Sequence, residues 1–217
     1  MADIEEPPHF GMFKNIMEWG EELENTIQWA WQSPGGWEGF AQVELHRAFN
    51  YHATREDHAY LHPPGQQGQR TDLAFNEGPF VAQDPDKPHE KILLELKCEG
   101  LNNSRNFKSG VQSDIAKIKQ DIKEEWWIER GCTLYAVALS MSEQGHDEMR
   151  KLGMKKFNDY CPQHAPPFQL WWKMRHIAPD HFARQGEPGF NRERAARRAE
   201  IDRTYPGAPV SYSSDED

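Results

Sequence analysis

Two continuous apolar runs constrain this chain most: Lys91–Cys98 (KILLELKC) and Thr133–Ser140 (TLYAVALS). Both fall far short of the ~20 apolar residues of a membrane-spanning helix. Their content of Leu, Ile, Val and Tyr predicts buried strands. Between them Val111, Ile115, Ile118 and Ile122 recur at spacings of three and four, which predicts a helix over Phe107–Ile128. Strand, helix and strand in this order call for one mixed sheet covered by helices.

The rest of the chain is consistent with that plan. Phe13, Ile16, Met17, Leu23, Ile27 and Trp31 follow a helical period, so Phe13–Trp31 reads as one or two amphipathic helices, stopped by Ser33-Pro34-Gly35-Gly36. A further helix is expected over Trp37–Tyr51, burying Phe40, Val43, Leu45, Ala48 and Phe49. Short strands are predicted at His58–His62 and Arg70–Phe75, with a polar connection through Asp84-Pro85-Asp86. A helix over Gln144–Tyr160 and a strand over Phe168–Arg175 complete the pattern. The expected organisation is an N-terminal helical extension (1–32), a core (33–177), and an Arg-rich C-terminal extension (178–217) ending in an acidic tail.

Composition narrows the function classes. The 217 residues carry 35 acidic and 25 basic side chains, a net charge of -10, which argues against coating nucleic acid by bulk electrostatics. The charge is uneven: residues 1–90 hold 16 acids against 5 bases, residues 91–217 hold 19 against 20. A polyanion surface belongs in the second part, and the acidic N-terminal helices are candidates for a negatively charged cover over a basic cleft. Cys98, Cys132 and Cys161 have no CxxC spacing and read as core residues of a reducing compartment. Without an apolar span or a secretory segment, an intracellular protein, cytoplasmic or nuclear, is expected.

The chemistry lies in the first apolar run. Residues two apart on a strand share a face, so Glu95 and Lys97 project together while Leu94 and Leu96 face the other way. Charges at the centre of a buried strand need partners or a metal. Asp72 lies in the preceding predicted strand and Glu44 on the helix before it. Carboxylates on adjacent strands can hold a hard cation, Mg²⁺ or Mn²⁺, and an ammonium beside them can offset charge on a phosphate.

Helix Glu, then Asp, then Glu-x-Lys, followed by a helix and an apolar strand, resembles the PD-(D/E)XK nuclease superfamily. The resemblance spans about Trp37–Ser140. It implies a restriction-endonuclease-like α/β core with helical additions at both ends. It also implies Asp72 and Glu95 as metal-binding carboxylates, the Leu96 carbonyl as a further ligand, Lys97 as the catalytic lysine and Glu44 as the auxiliary acid. Two departures stand out: Thr71 where the pattern has proline, and 22 residues between Asp72 and Glu95, which demand a long connection. The helix that follows offers Gln112, Lys117 and Lys108 as phosphate contacts.

The expected function is a divalent-metal-dependent nuclease, a DNA endonuclease ahead of an RNA one, acting as a homodimer or with a regulatory protein. The alternative is an idle version of the fold serving as a protein-interaction module. Trp126-Trp127 and Trp171-Trp172 read as core ahead of base-stacking surfaces. The histidines His46, His52, His58 and His62 lack a metal-binding frame, and Cys161 with His164 makes only half of one.

Overall fold

A computed structural model describes residues 7–34, 36–49, 53–61, 68–75, 90–128, 130–158, 166–179 and 203. The turn at Pro63-Pro64-Gly65, the connection through Asp84-Pro85-Asp86, His52, His62, the Cys161–His164 segment and the Arg192–Arg198 run lie outside the described residues. The elements run α1 (Phe10–Glu22), α2 (Glu24–Trp31), α3 (Glu38–Ala48), β1 (Ala53–Asp57), β2 (Thr71–Phe75), β3 (Lys91–Cys98), α4 (Ser104–Lys117), β4 (Cys132–Ser140), α5 (Glu143–Lys151), β5 (Lys155–Lys156) and β6 (Gln169–Ile177). Among the described residues the sheet has six strands in the order β1-β2-β3-β4-β6-β5. β3 and β4 pair in parallel and the other neighbours are antiparallel, so the fold is α/β with a mixed sheet.

Strand alternation divides the interior. Ile92, Leu94, Leu96 and Cys98 of β3 join Tyr135, Val137 and Leu139 of β4 in a core covered by α1 and α3. On the opposite face Leu93, Leu134 and Ala136 pack with Ile118, Ile122, Trp126 and Trp127, and Ala138 packs with Phe107, Val111 and Trp171. All four residues of the two Trp pairs are buried. Cys98 and Cys132 are free thiols inside the protein.

Several elements depart from expectation. The residues read as an N-terminal extension are built into the core: Met12, Phe13, Ile16 and Ile27 are fully buried. They cover the face opposite to Glu95 and Lys97, so α1 is not a lid over those charges. The strand expected at His58–His62 is instead β1, an edge strand whose only buried residue is Ala53, which left no apolar alternation to read. Tyr60 keeps a single bridge to Ile122. α3 buries Leu45, with Phe49 just past its end, as expected; Phe40 and Ala48 are half-buried, Val43 is exposed, and Ala41 and Gln42 are buried in its place. α4 stops at Lys117, and Ile118 and Ile122 are buried beyond its end. α5 ends at Lys151 because Gly153 takes a left-handed φ of 66°, which turns the chain into β5. Among the described residues no helix is long and apolar enough to cross a membrane.

Candidate active site

The site begins where two strands part. β2 and β3 pair at Phe75↔Ile92, Ala74↔Leu93 and Leu73↔Leu94, and the ladder stops there. Carried one residue further, the register sets Asp72 opposite Glu95, and facing residues of an antiparallel pair share a face. In place of a backbone bond, the Leu96 N–H donates to Asp72 Oδ2 at 2.7 Å. On the outer side of Asp72, Glu56 of β1 has a φ of 55° and is skipped by the β1–β2 register. The fork is therefore bounded by a distorted edge strand.

Glu95 is 1 % exposed, and both of its oxygens are bonded. The Tyr60 hydroxyl donates to Oε1 at 2.6 Å and the Lys117 ammonium to Oε2 at 2.6 Å. Lys117, from the last turn of α4, also donates to the Arg70 carbonyl and lies over the Tyr60 ring. Two residues along β3, the Lys97 ammonium donates to Glu38 Oε1 at 2.9 Å. Glu38 is placed by Trp37, whose indole N–H donates to the Glu99 carbonyl at 2.6 Å and ties the start of α3 to the end of β3. Beside Glu95 and Lys97 on β4 lie Ala136 and Ala138, small enough for α4 to approach. The closest approach is at Gly110, where a Cβ would stand 3.0 Å from Lys97 Cδ and Cε. Asp114, four residues on and hence on the same helix face, has a buried Oδ2 without a hydrogen-bond partner among the described residues.

This crowding shows in the acidities. Burial pushes Asp72 and Glu95 above the ordinary carboxylate range, against the pull of the Leu96 N–H on Asp72 and of Lys117 on both. Burial, with Glu95 and Asp72 nearby, raises Asp114 to about 7, although Lys97 pulls it down. Burial also raises Glu38 against Lys97. For Lys97 burial acts downward, but the Glu38 hydrogen bond and the charges of Asp114, Glu38 and Asp72 outweigh it. Lys97 is thus an ammonium at neutral pH, a donor and a charge rather than a base. A recess of about 350 Å³ opens beside it, lined by Glu38, Lys97, Asn103, Asn106, Phe107 and Gly110.

Asp72, Glu95, Lys97 and Lys117 come together as a group. Leu96 enters it through its N–H. Glu44 does not join: it pairs with Arg47 on the same helix at 2.9 Å, and the acid that α3 brings to Lys97 is Glu38. Lys108 pairs with Glu148 of α5, and Gln112 is exposed. Glu38, Tyr60 and Asp114 were missed. Glu38 falls in a first helical turn, where an acid is already explained by the helix dipole. Asp114 had a legible signal in its spacing of four from Gly110 and three from Lys117.

Among the described residues no three His, Cys, Asp or Glu side chains converge as a ready-made metal cage. The buried Glu95 and the half-buried Asp72, both with raised proton affinity, nevertheless fit Mg²⁺ or Mn²⁺, which keep waters and often take only one or two protein carboxylates. Among the described residues softer metals find no matching set at the fork, since Cys98 lies on the opposite face. In comparisons with family models, curated proteins and solved structures, nothing matches this chain.

Proposed function

We propose that this protein is a divalent-metal-dependent nuclease with a restriction-endonuclease-like core, an endonuclease acting on DNA ahead of RNA. The observation that carries this reading is a buried carboxylate, Glu95, and a half-buried one, Asp72, at a strand fork, with the Lys117 ammonium bonded to Glu95 and the Lys97 ammonium two residues along the same strand face. Asp72 and Glu95 would hold Mg²⁺ or Mn²⁺, with the Leu96 carbonyl as a further donor. Once bound, the ion would neutralise phosphate charge and acidify a bound water. Lys97, kept protonated and aimed by Glu38, offers a hydrogen bond and a positive charge to a phosphate oxygen at the recess. Lys117 favours the charged form of Glu95 against its burial and orients the carboxylate.

One observation favours a second reading, an idle fold used for protein interaction. The Glu95 carboxylate is already neutralised by Lys117 and bonded by Tyr60, so it needs no further cation to be stable. Incubation with plasmid, single-stranded DNA and RNA in Mg²⁺ or Mn²⁺ separates the two. Cleavage that disappears in EDTA and in Lys97→Ala is expected. Absence of cleavage on every substrate, together with absence of calorimetric Mn²⁺ binding, would overturn the nuclease reading and leave the second.

A further inference from the structure

A second cavity, of about 390 Å³, lies where α1, α5, β5 and β6 meet, away from the strand fork. Its size falls in the range of small-molecule sites. His146 lines it and is 6 % exposed.

The hydrogen bonds behind His146 determine which nitrogen carries its proton. The Trp171 indole N–H donates to Ser140 Oγ at 2.8 Å, and an indole nitrogen can only donate. Ser140 is fully buried, and among the described residues its hydroxyl has one acceptor in reach, His146 Nδ1 at 2.6 Å. Ser140 therefore donates to Nδ1. Burial holds the ring below its ordinary pKa, hence neutral, so the proton is on Nε2. Nε2 has no partner among the described residues, a polar N–H on a side chain more than nine-tenths buried at a cavity wall.

The rest of the cavity suits an anion. Lys156 lines it, is exposed and has no partner among the described residues. Two acids act on His146: Glu99 is bonded to the Met141 and Ser142 N–H groups at 2.7 and 2.9 Å, and Glu143 is exposed on the first turn of α5. The apolar walls are anchored from behind. Phe168 packs against Trp19 and Trp37, and its ring lies 2.5 Å from where a Cβ on Gly20 would be. Phe157 packs against Phe10 and Phe13. Two of its apolar walls are thus held by the core.

We propose that this cavity is a binding site for a small organic anion, whose carboxylate or phosphate is held by the His146 Nε2–H and the Lys156 ammonium, and whose aromatic or apolar body rests on Met17, Phe157 and Phe168. The site is independent of the nuclease reading.

NMR titration of the ¹⁵N-labelled full chain with benzoate, phenyl phosphate, benzyl alcohol and inorganic phosphate tests it. Saturable binding of benzoate or phenyl phosphate is expected, moving the Trp171 indole N–H through Ser140, and the tighter of the two assigns the head group. Lys156→Met removes one charge-assisted contact from an exposed, unpartnered position and should weaken binding about tenfold with the spectrum otherwise retained. Lys97→Ala should leave it unchanged. No saturable shift of the Trp171 indole, equal shifts of that resonance with benzyl alcohol or with inorganic phosphate, an unaffected Lys156→Met, or loss of that shift in Lys97→Ala would each overturn the assignment.

Discussion

Replacing Lys117 by methionine keeps the aliphatic stem and removes the ammonium, which isolates the charge that Glu95 depends on. The Lys117 side chain is 16 % exposed and that of Glu95 1 %, so the pair is shielded from bulk water and salt. Breaking a buried pair by deleting one partner costs about 3–5 kcal/mol, because the remaining charge is uncompensated. The lower end, about 3 kcal/mol, is expected, since Glu95 can relieve the cost by taking up a proton. For a chain of this size that lowers Tm by roughly 6–12 °C. The loss should grow with pH. In the folded variant the Glu95 pKa is raised further above its unfolded value, so stability falls as pH rises through that window. Lys117→Met/Glu95→Gln should regain most of the loss, because glutamine leaves no buried charge and still meets Tyr60. Calorimetry or circular-dichroism melts at pH 5 and pH 8 measure all three variants. Cation binding has its own signature: with the ammonium gone, Mn²⁺ at about 100 times its Kd should return ~2.7 kcal/mol to Lys117→Met. A Tm within a degree or so of the parent, or a loss that Glu95→Gln fails to restore, would refute the reasoning about this pair.

Three other outcomes follow from the same geometry. Glu38→Gln should lower cleavage by at least about tenfold by releasing Lys97, whereas Glu44→Gln should stay within about twofold of the parent, as measured by plasmid nicking rates. Equal effects would remove Glu38 from the site. Asp114, at about 7 when folded against 3.8 as its reference, takes up a proton on folding between those values, so it costs stability as pH rises from about 4 to 7. Urea melts of Asp114→Asn should therefore gain on the parent over that interval and level off above it; a pH-independent difference would contradict this. Deleting residues 1–32 should unfold the protein, since five buried side chains, Met12, Phe13, Ile16, Trp19 and Ile27, at roughly 1.5–3 kcal/mol each approach the whole stability of a domain. A folded truncated protein by near-UV circular dichroism would show that α1 is dispensable.

The legible parts of this fold were those in which burial leaves a continuous mark. β3 and β4 are covered on both faces, so they read as uninterrupted apolar runs, and a glutamate and a lysine inside one of them stood out. β1 is a polar edge strand with one buried residue, and nothing in its side chains distinguishes it from a loop. The helix acid was misassigned for a related reason. α3 has mixed polarity, with Gln42 buried and Val43 exposed, so its inward face could not be oriented from periodicity. Glu38 owes its position to Trp37 and the Glu99 carbonyl, a contact 62 residues apart that local pattern cannot anticipate. Tyr60 reaches Glu95 across 35 residues, beyond the reach of local pattern in the same way.

The hydrogen bond that closes the strand fork has a spectroscopic consequence. At Leu96 a backbone N–H is held by a carboxylate instead of a carbonyl. Its proton therefore responds to the charge on Asp72: downfield while the carboxylate is ionised, upfield when that charge is titrated or shared with a cation. A single amide resonance at the centre of β3 thus reports occupancy of the fork in the resting protein, with no nucleic acid present and no bond broken.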